Sequence, residues 1–264
     1  PGNHSISLRE MSQFQEAEFA ARKALSLKPD SAEARTDLAD ILFLSARLDE
    51  AEILSNEATE IAPNSPRLFL KLANVQERLN HFDDALKTLD KALELSPNMP
   101  DLYHRRGVVY LMSNKIEESV EAFDKALEIN PDFVQAIASK SETLQTKGDM
   151  DAARETVQKG LQIDESFPSL YYTLSKVKKF TKDDPDLQEM VKLSENDEAL
   201  GHTQETAIHF ALFKAYQDIK NYDTAFDHLI KGNNRKRSSV PYDREKQNKT
   251  YDLITNICTP EYIN

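Results

Sequence analysis

Residues 66–99 read PRLFLKLANVQERLNHFDDALKTLDKALELSPNM, and residues 100–133 read PDLYHRRGVVYLMSNKIEESVEAFDKALEINPDF. Their endings, LDKALELSP and FDKALEINP, are nearly the same. Proline marks the period. Pro29, Pro63, Pro97 and Pro131 stand 34 residues apart, and each closes an apolar run: KALSLKP, EATEIAP, KALELSP, KALEINP. A fixed period of this size signals supersecondary units that stack on one another.

Each unit carries two helical patterns. Phe69, Leu72, Ala73 and Gln76 share one face of the first helix of the 66–99 unit. Ala85, Leu89, Ala92 and Leu93 share one face of the second, with the three- and four-residue steps of an α-helix. Ala73, Gly107, Ala85, Ala92 and Ala126 are small where helices are expected to cross closely. Leu48, Phe82 and Ile116 open the second helices. Asn80, Asn114 and Gly148 fall in the turns, where a residue tolerant of left-handed φ is favoured. Pro66, Pro100 and Pro168 suit the first position of a helix, where the missing N–H costs nothing.

Outward from the centre, whole units span 32–65, 66–99, 100–133 and 134–167. The first unit, about 6–31, is partial: 14–29 is a good second helix, preceded at best by a stub at 6–12. Residues 1–5, PGNHS, are set aside as foreign to the fold. A sixth unit starts at 168–180 and breaks at TKDDP, 181–185. A short helix is expected at 186–194, then a polar loop to about Gly201. A divergent pair follows at 206–219 and 223–231, turning at Asn221 and Tyr222. GNNRKRSSVPYD, 232–243, reads as a loop and 243–257 as one more helix. The expected fold is all-α: a right-handed α-α superhelix of about six to seven helix pairs plus a C-terminal helix. The solenoid occupies 1–180, and divergent helices occupy 181–264.

Charge narrows the partners. The net charge is −12, which disfavours nucleic acid and anionic membrane, because both are bound by neutralising phosphate. No apolar run reaches the length of a membrane span, and no signal peptide is visible. Cys258 is the single cysteine, so no intrachain disulfide forms, and a reducing, cytoplasmic setting is expected. The six glycines are isolated and build no phosphate loop, and no cofactor is expected.

The four prolines in register and the alanine positions resemble the tetratricopeptide repeat family over roughly 160 residues. That resemblance implies a helix-pair solenoid that binds peptides or partner domains along its concave face without catalysis. A second resemblance lies in HFALFKAYQDIKNYDTAFDHLIKGNNRKR, 209–237, followed by Tyr242 and Asp243. It is similar to the segment joining such repeats to a sulfotransferase domain in a family of bacterial fusion proteins, with Phe213 where a glycine is commoner. The nucleotide-binding loop of that family is not in this sequence, and no active-site residue is carried over.

The candidate binding surface is a basic stripe. Arg67, Lys71, Asn74 and Arg78 recur at steps of four, three and four on one first helix, and His104 and Arg105 follow in the next unit. Arginine offers paired donors to a carboxylate or phosphate, so an acidic protein or peptide partner fits. The competing reading is a solvated face with salt bridges to Asp101 and Glu77. Leu70 and Asp40 stand where a chaperone-type carboxylate clamp wants a cation and an amide. His202, Glu205 and His209 could share a face, but a solvated face is the simpler reading; Cys258 with His228 has no supporting pattern. Lys231–Arg237 favours a helix C-terminus through the helix dipole. Tyr171, Tyr172, Phe210, Phe213 and Tyr216 are expected in the core. The uncovered apolar face of the truncated first unit predicts self-association.

Overall fold

The computed structural model describes residues 2–195 and 200–239. Among the described residues there are thirteen helices and no strand. None of these helices is long and apolar enough to cross a membrane. The chain divides into two compact units, Pro1–Ile163 and Asp164–Asn264.

In the N-terminal unit, α1 spans Gly2–Leu27 and is followed by four helix pairs: α2 (Ala32–Leu44) with α3 (Leu48–Ile61), α4 (Pro66–Arg78) with α5 (Phe82–Leu95), α6 (Pro100–Met112) with α7 (Ile116–Ile129), and α8 (Val134–Lys147) with α9 (Met150–Ile163). First helices begin at 32, 66, 100 and 134 and second helices at 48, 82, 116 and 150, so the 34-residue step is kept in three dimensions. Pro66 and Pro100 open their helices. The turns repeat too. Ala46, Asn80, Asn114 and Gly148, again 34 apart, all have positive φ. After each, the next N–H reaches back five residues: Arg47 to Leu42, His81 to Gln76, Lys115 to Tyr110 and Asp149 to Leu144, at 2.8–2.9 Å. This is the hydrogen-bond pattern of a left-handed helix cap, and it turns the chain sharply enough for the second helix to fold back on the first.

Packing inside each pair rests on complementary sizes. Ala73 and Leu89 are fully buried in one core cluster. The corresponding residues of the next pair are Gly107 and Phe123. Phe123 is wholly buried, and a Cβ placed on Gly107 would lie 2.5 Å from its ring. Gly107 is therefore glycine because the larger ring needs its space. Its carbonyl also accepts a buried hydrogen bond from Ser119 Oγ at 2.8 Å.

Two sequence expectations change. The N-terminal unit does not contain a stub followed by a separate second helix: Gly2–Leu27 is one continuous helix. Residues 6–14 contain neither glycine nor asparagine, and no positive-φ residue interrupts them, unlike the later turns. The second change is in the C-terminal unit, which comprises α10 (Pro168–Val177), α11 (Pro185–Glu195), α12 (His202–Asp218) and α13 (Tyr222–Ser239). The stretch expected as a loop from Gly232 is helical through Ser239. Gly232 does not end the helix; it lets α13 approach α12. A Cβ there would lie 3.0 Å from Phe210 and 3.4 Å from His209 Cβ. One turn on, Arg235 Nε pairs with the buried Glu205 at 3.0 Å, so α12 still holds α13 beyond the glycine. The basic run thus occupies the final turns of α13, with Lys236 and Arg237 in the last one, rather than lying beyond the helix. The helix expected at 243–257 and Cys258 lie outside the described residues.

The break at 181–185 has its own tie. Lys178 Nζ donates to Asp184 Oδ1 at 2.8 Å and to Asp186 Oδ2. Burial works against its charge, yet these carboxylates outweigh it and raise its pKa. Tyr171 is buried, while Tyr172, Phe210, Phe213 and Tyr216 are half-buried.

Candidate functional site

The basic stripe forms as the spacing requires. At 100° per residue, Arg67, Lys71, Asn74 and Arg78 fall on one side of α4, and Arg67 and Arg78 are about 17 Å apart along the axis. It is a strip rather than a pocket. Neighbouring first helices meet through these residues, and most of the charges are engaged there. Lys71 Nζ reaches Asp40 of α2 at 2.5 Å. Arg78 lies over the Phe43 ring, 5.3 Å from its centroid. Arg105 Nη1 reaches Glu77 of α4 at 2.5 Å, and Glu77 is buried. His104 Nε2 is 3.0 Å from Ser139 Oγ of α8. Arg67 is exposed and makes no ion pair or hydrogen bond with the described residues.

The ties differ in strength. Lys71–Asp40 is half-exposed and screened, worth about 1 kcal/mol or less. Arg105–Glu77 is more enclosed. Two polar atoms on these helices are buried without a hydrogen-bond partner: Asn74 Oδ1, an acceptor, and Arg105 Nε, a donor.

His104 is not a cation of this surface at neutral pH. It sits between Phe123 and Phe133, 5.6 and 5.3 Å from their centroids. Burial, with Arg105 adding to it, pushes its pKa down to about 4.

A second histidine group escaped the sequence reading. His209 of α12 and His228 of α13 are both buried, with Nδ1 atoms 3.2 Å apart. Tyr216 stacks on His228 at 5.5 Å. Burial first, then His209 and Lys231, pushes His228 down to about 4. These partners are 19 residues apart, so helical periodicity on one element does not bring them together.

Acidification should therefore weaken the fold through His104 and His228. Each titrates near 6.5 when unfolded and near 4 when folded, so the unfolded chain binds more protons between those values. Stability is whole above about pH 6.5 and declines as pH falls toward 4, by on the order of 1 kcal/mol per histidine once partial exposure is discounted. Thermal melts of His104→Gln and His228→Gln should show a shallower decline in that window than the parent protein.

Models of the tetratricopeptide repeat match residues 8–75, 66–109, 100–133 and 134–167, in the register of the helix pairs. The chain is a tetratricopeptide repeat protein. Comparison with curated protein sequences finds no match. Among solved structures, this tetratricopeptide repeat chain is similar to a crystal structure of MamA: 23% identity, 60% of this chain, 92% of the other, TM-score 0.52. It is also similar to MamA from Desulfovibrio magneticus RS-1: 18% identity, 62% and 93% coverage, TM-score 0.52. PilF of Pseudomonas aeruginosa is similar over more of the chain: 17% identity, 84% and 92% coverage, TM-score 0.54. At these identities the likeness establishes the helix-pair fold alone.

Proposed function

We propose that this tetratricopeptide repeat chain is a protein- or peptide-binding scaffold. It takes an extended partner segment along the first-helix face, the concave groove of the solenoid, and performs no catalysis itself. The observation that carries this reading is Arg67, exposed and unpaired among the described residues on a first-helix face whose other charges are tied to neighbouring helices. Arg67, together with Arg78 over the Phe43 ring, favours an acidic segment. Lys71 and His104 act differently from Arg67: they help hold the groove's helices in place.

The test is a binding screen of extended peptides of graded charge. Acidic members should be retained, and Arg67→Glu together with Arg78→Glu should weaken them by about tenfold or more. Unchanged affinity in that double variant, with the fold intact by circular dichroism, would place binding on another surface. Self-association belongs to the same proposal: Phe19 on α1 is 72% exposed, and a second copy could cover it. So does a cytoplasmic setting, which rests on the single cysteine.

A second reading is favoured by the phrase at 209–237 with Tyr242 and Asp243: the solenoid as the recognition arm of a sulfotransferase. The coding sequence after Asn264 discriminates. A strand followed by a Gly/Ser/Thr-rich phosphate loop supports it, and a further repeat sinks it.

A further inference from the structure

A cleft of about 380 Å³ opens between α6 and α7, on a different side of α6 from His104 and Arg105. Its floor is Tyr103, Arg106 and Tyr110, and its far wall includes Glu118, Glu121 and Glu128 of α7. In the preceding pair the positions of the three floor residues hold Phe69, Leu72 and Gln76, all buried. Tyr103, Arg106 and Tyr110 are instead half-buried and line the opening. The repeat fold therefore does not require these residues at these places.

The charges also depart from the repeat. In the preceding pair Asp84 is held by Lys87 at 2.9 Å. The corresponding residues here are Glu118 and Glu121, three apart on one helix face with no cation between them. Like charges at that spacing destabilise a helix slightly, and neither carboxylate has an ion-pair partner in the described residues. The nearby cations are already engaged. Arg106 Nη1 pairs with Asp90 at 3.2 Å, and its Nε and Nη2 donate to Tyr110 Oη at 3.2 Å. Lys125 pairs with Glu128 at 2.7 Å, and Lys140 takes Asp124 at 2.6 Å. The lining carries four carboxylates and two cations, so its net charge favours a cation over an anion. A cation would find two uncommitted carboxylates beside the Tyr103 ring, while the Tyr110 ring already carries Arg106 and Lys115, 5.6 and 5.9 Å from its centroid.

We propose that the cleft between α6 and α7 is a docking pocket for an arginine or lysine side chain of a basic peptide. It is a second binding surface, of opposite charge preference to the first-helix face and independent of it. The probe is a capped tri-arginine peptide, followed by ¹H–¹⁵N NMR on the whole chain. Saturable shifts are expected at amides of α6 and α7 around Tyr103, Tyr110 and Glu121. Glu118→Gln with Glu121→Gln should raise the Kd roughly fivefold or more. Glu121→Lys should abolish the shifts without lowering the melting temperature, since it recreates the pairing seen at Asp84–Lys87. Three results would overturn the proposal: no saturable shifts, shifts that survive both variants, or a capped tri-glutamate peptide perturbing the same amides. Arg67→Glu should leave tri-arginine binding unchanged, which separates failure here from failure of the groove.

Discussion

Phe123→Ala is expected to lower the unfolding free energy by about 3–5 kcal/mol, read as a shift in the urea midpoint followed by circular dichroism. Phe123 is fully buried against Gly107, and its ring is one of the two that enclose His104. Removing it leaves a cavity at the helix crossing, and the surrounding backbone is held by Ser119 Oγ on the Gly107 carbonyl, so collapse is incomplete. The position also matters for the array. Each pair of a solenoid is stabilised by its neighbours, so a loss in the 100–133 pair weakens the coupling of the pairs on both sides. The transition should broaden as well as move. A shift below about 1 kcal/mol would mean that Phe123 is not the wedge its burial indicates.

Gly107→Ala tests the same contact from the other side and should cost about 1–3 kcal/mol. Alanine gains about 1 kcal/mol over glycine in helix propensity, so a net loss requires overpacking to outweigh that gain. It does, because the added Cβ would stand 2.5 Å from Phe123 Cε1 and 2.7 Å from Cδ1, on a ring that is wholly buried. The decisive variant is the double one. Gly107→Ala with Phe123→Leu reproduces the Ala73 and Leu89 combination of the preceding pair, which packs with both residues fully buried. It should recover most of the stability lost in either single variant. A double variant as unstable as the sum of Gly107→Ala and Phe123→Leu taken singly would show that the size exchange is not what fits these helices together.

Much of the fold was legible because its cause is local. Pro66 and Pro100 open helices, Asn80 and Asn114 turn them, and the alternation of large and small residues marks the face each helix buries. These depend on residues within one or two turns of each other, so a period in the sequence becomes a period in space. Ala46 and Lys220 show the limit. Both take positive φ without being glycine or asparagine, because the packing of the helices on either side sets the turn there. Gly232 shows it again: a glycine that ends helices elsewhere instead lets α13 lie against Phe210.

The candidate site divides along the same line. The sequence alone determined that Arg67, Lys71, Asn74 and Arg78 share one helix face, since a 3.6-residue turn permits nothing else. It also determined the repeat that sets such faces side by side. Only the tertiary structure decided which of those groups are available. Lys71 finds Asp40 31 residues away, Arg105 finds Glu77 28 away, and His104 finds Ser139 35 away. Each tie joins neighbouring first helices near the repeat length. Periodicity says that such residues come near one another, but the side chains and their burial decide which pair forms. That is why Arg67 stays exposed and unpaired among the described residues, why Asn74 and Arg105 each keep a buried unpaired atom, and why His104 is held neutral among aromatic rings.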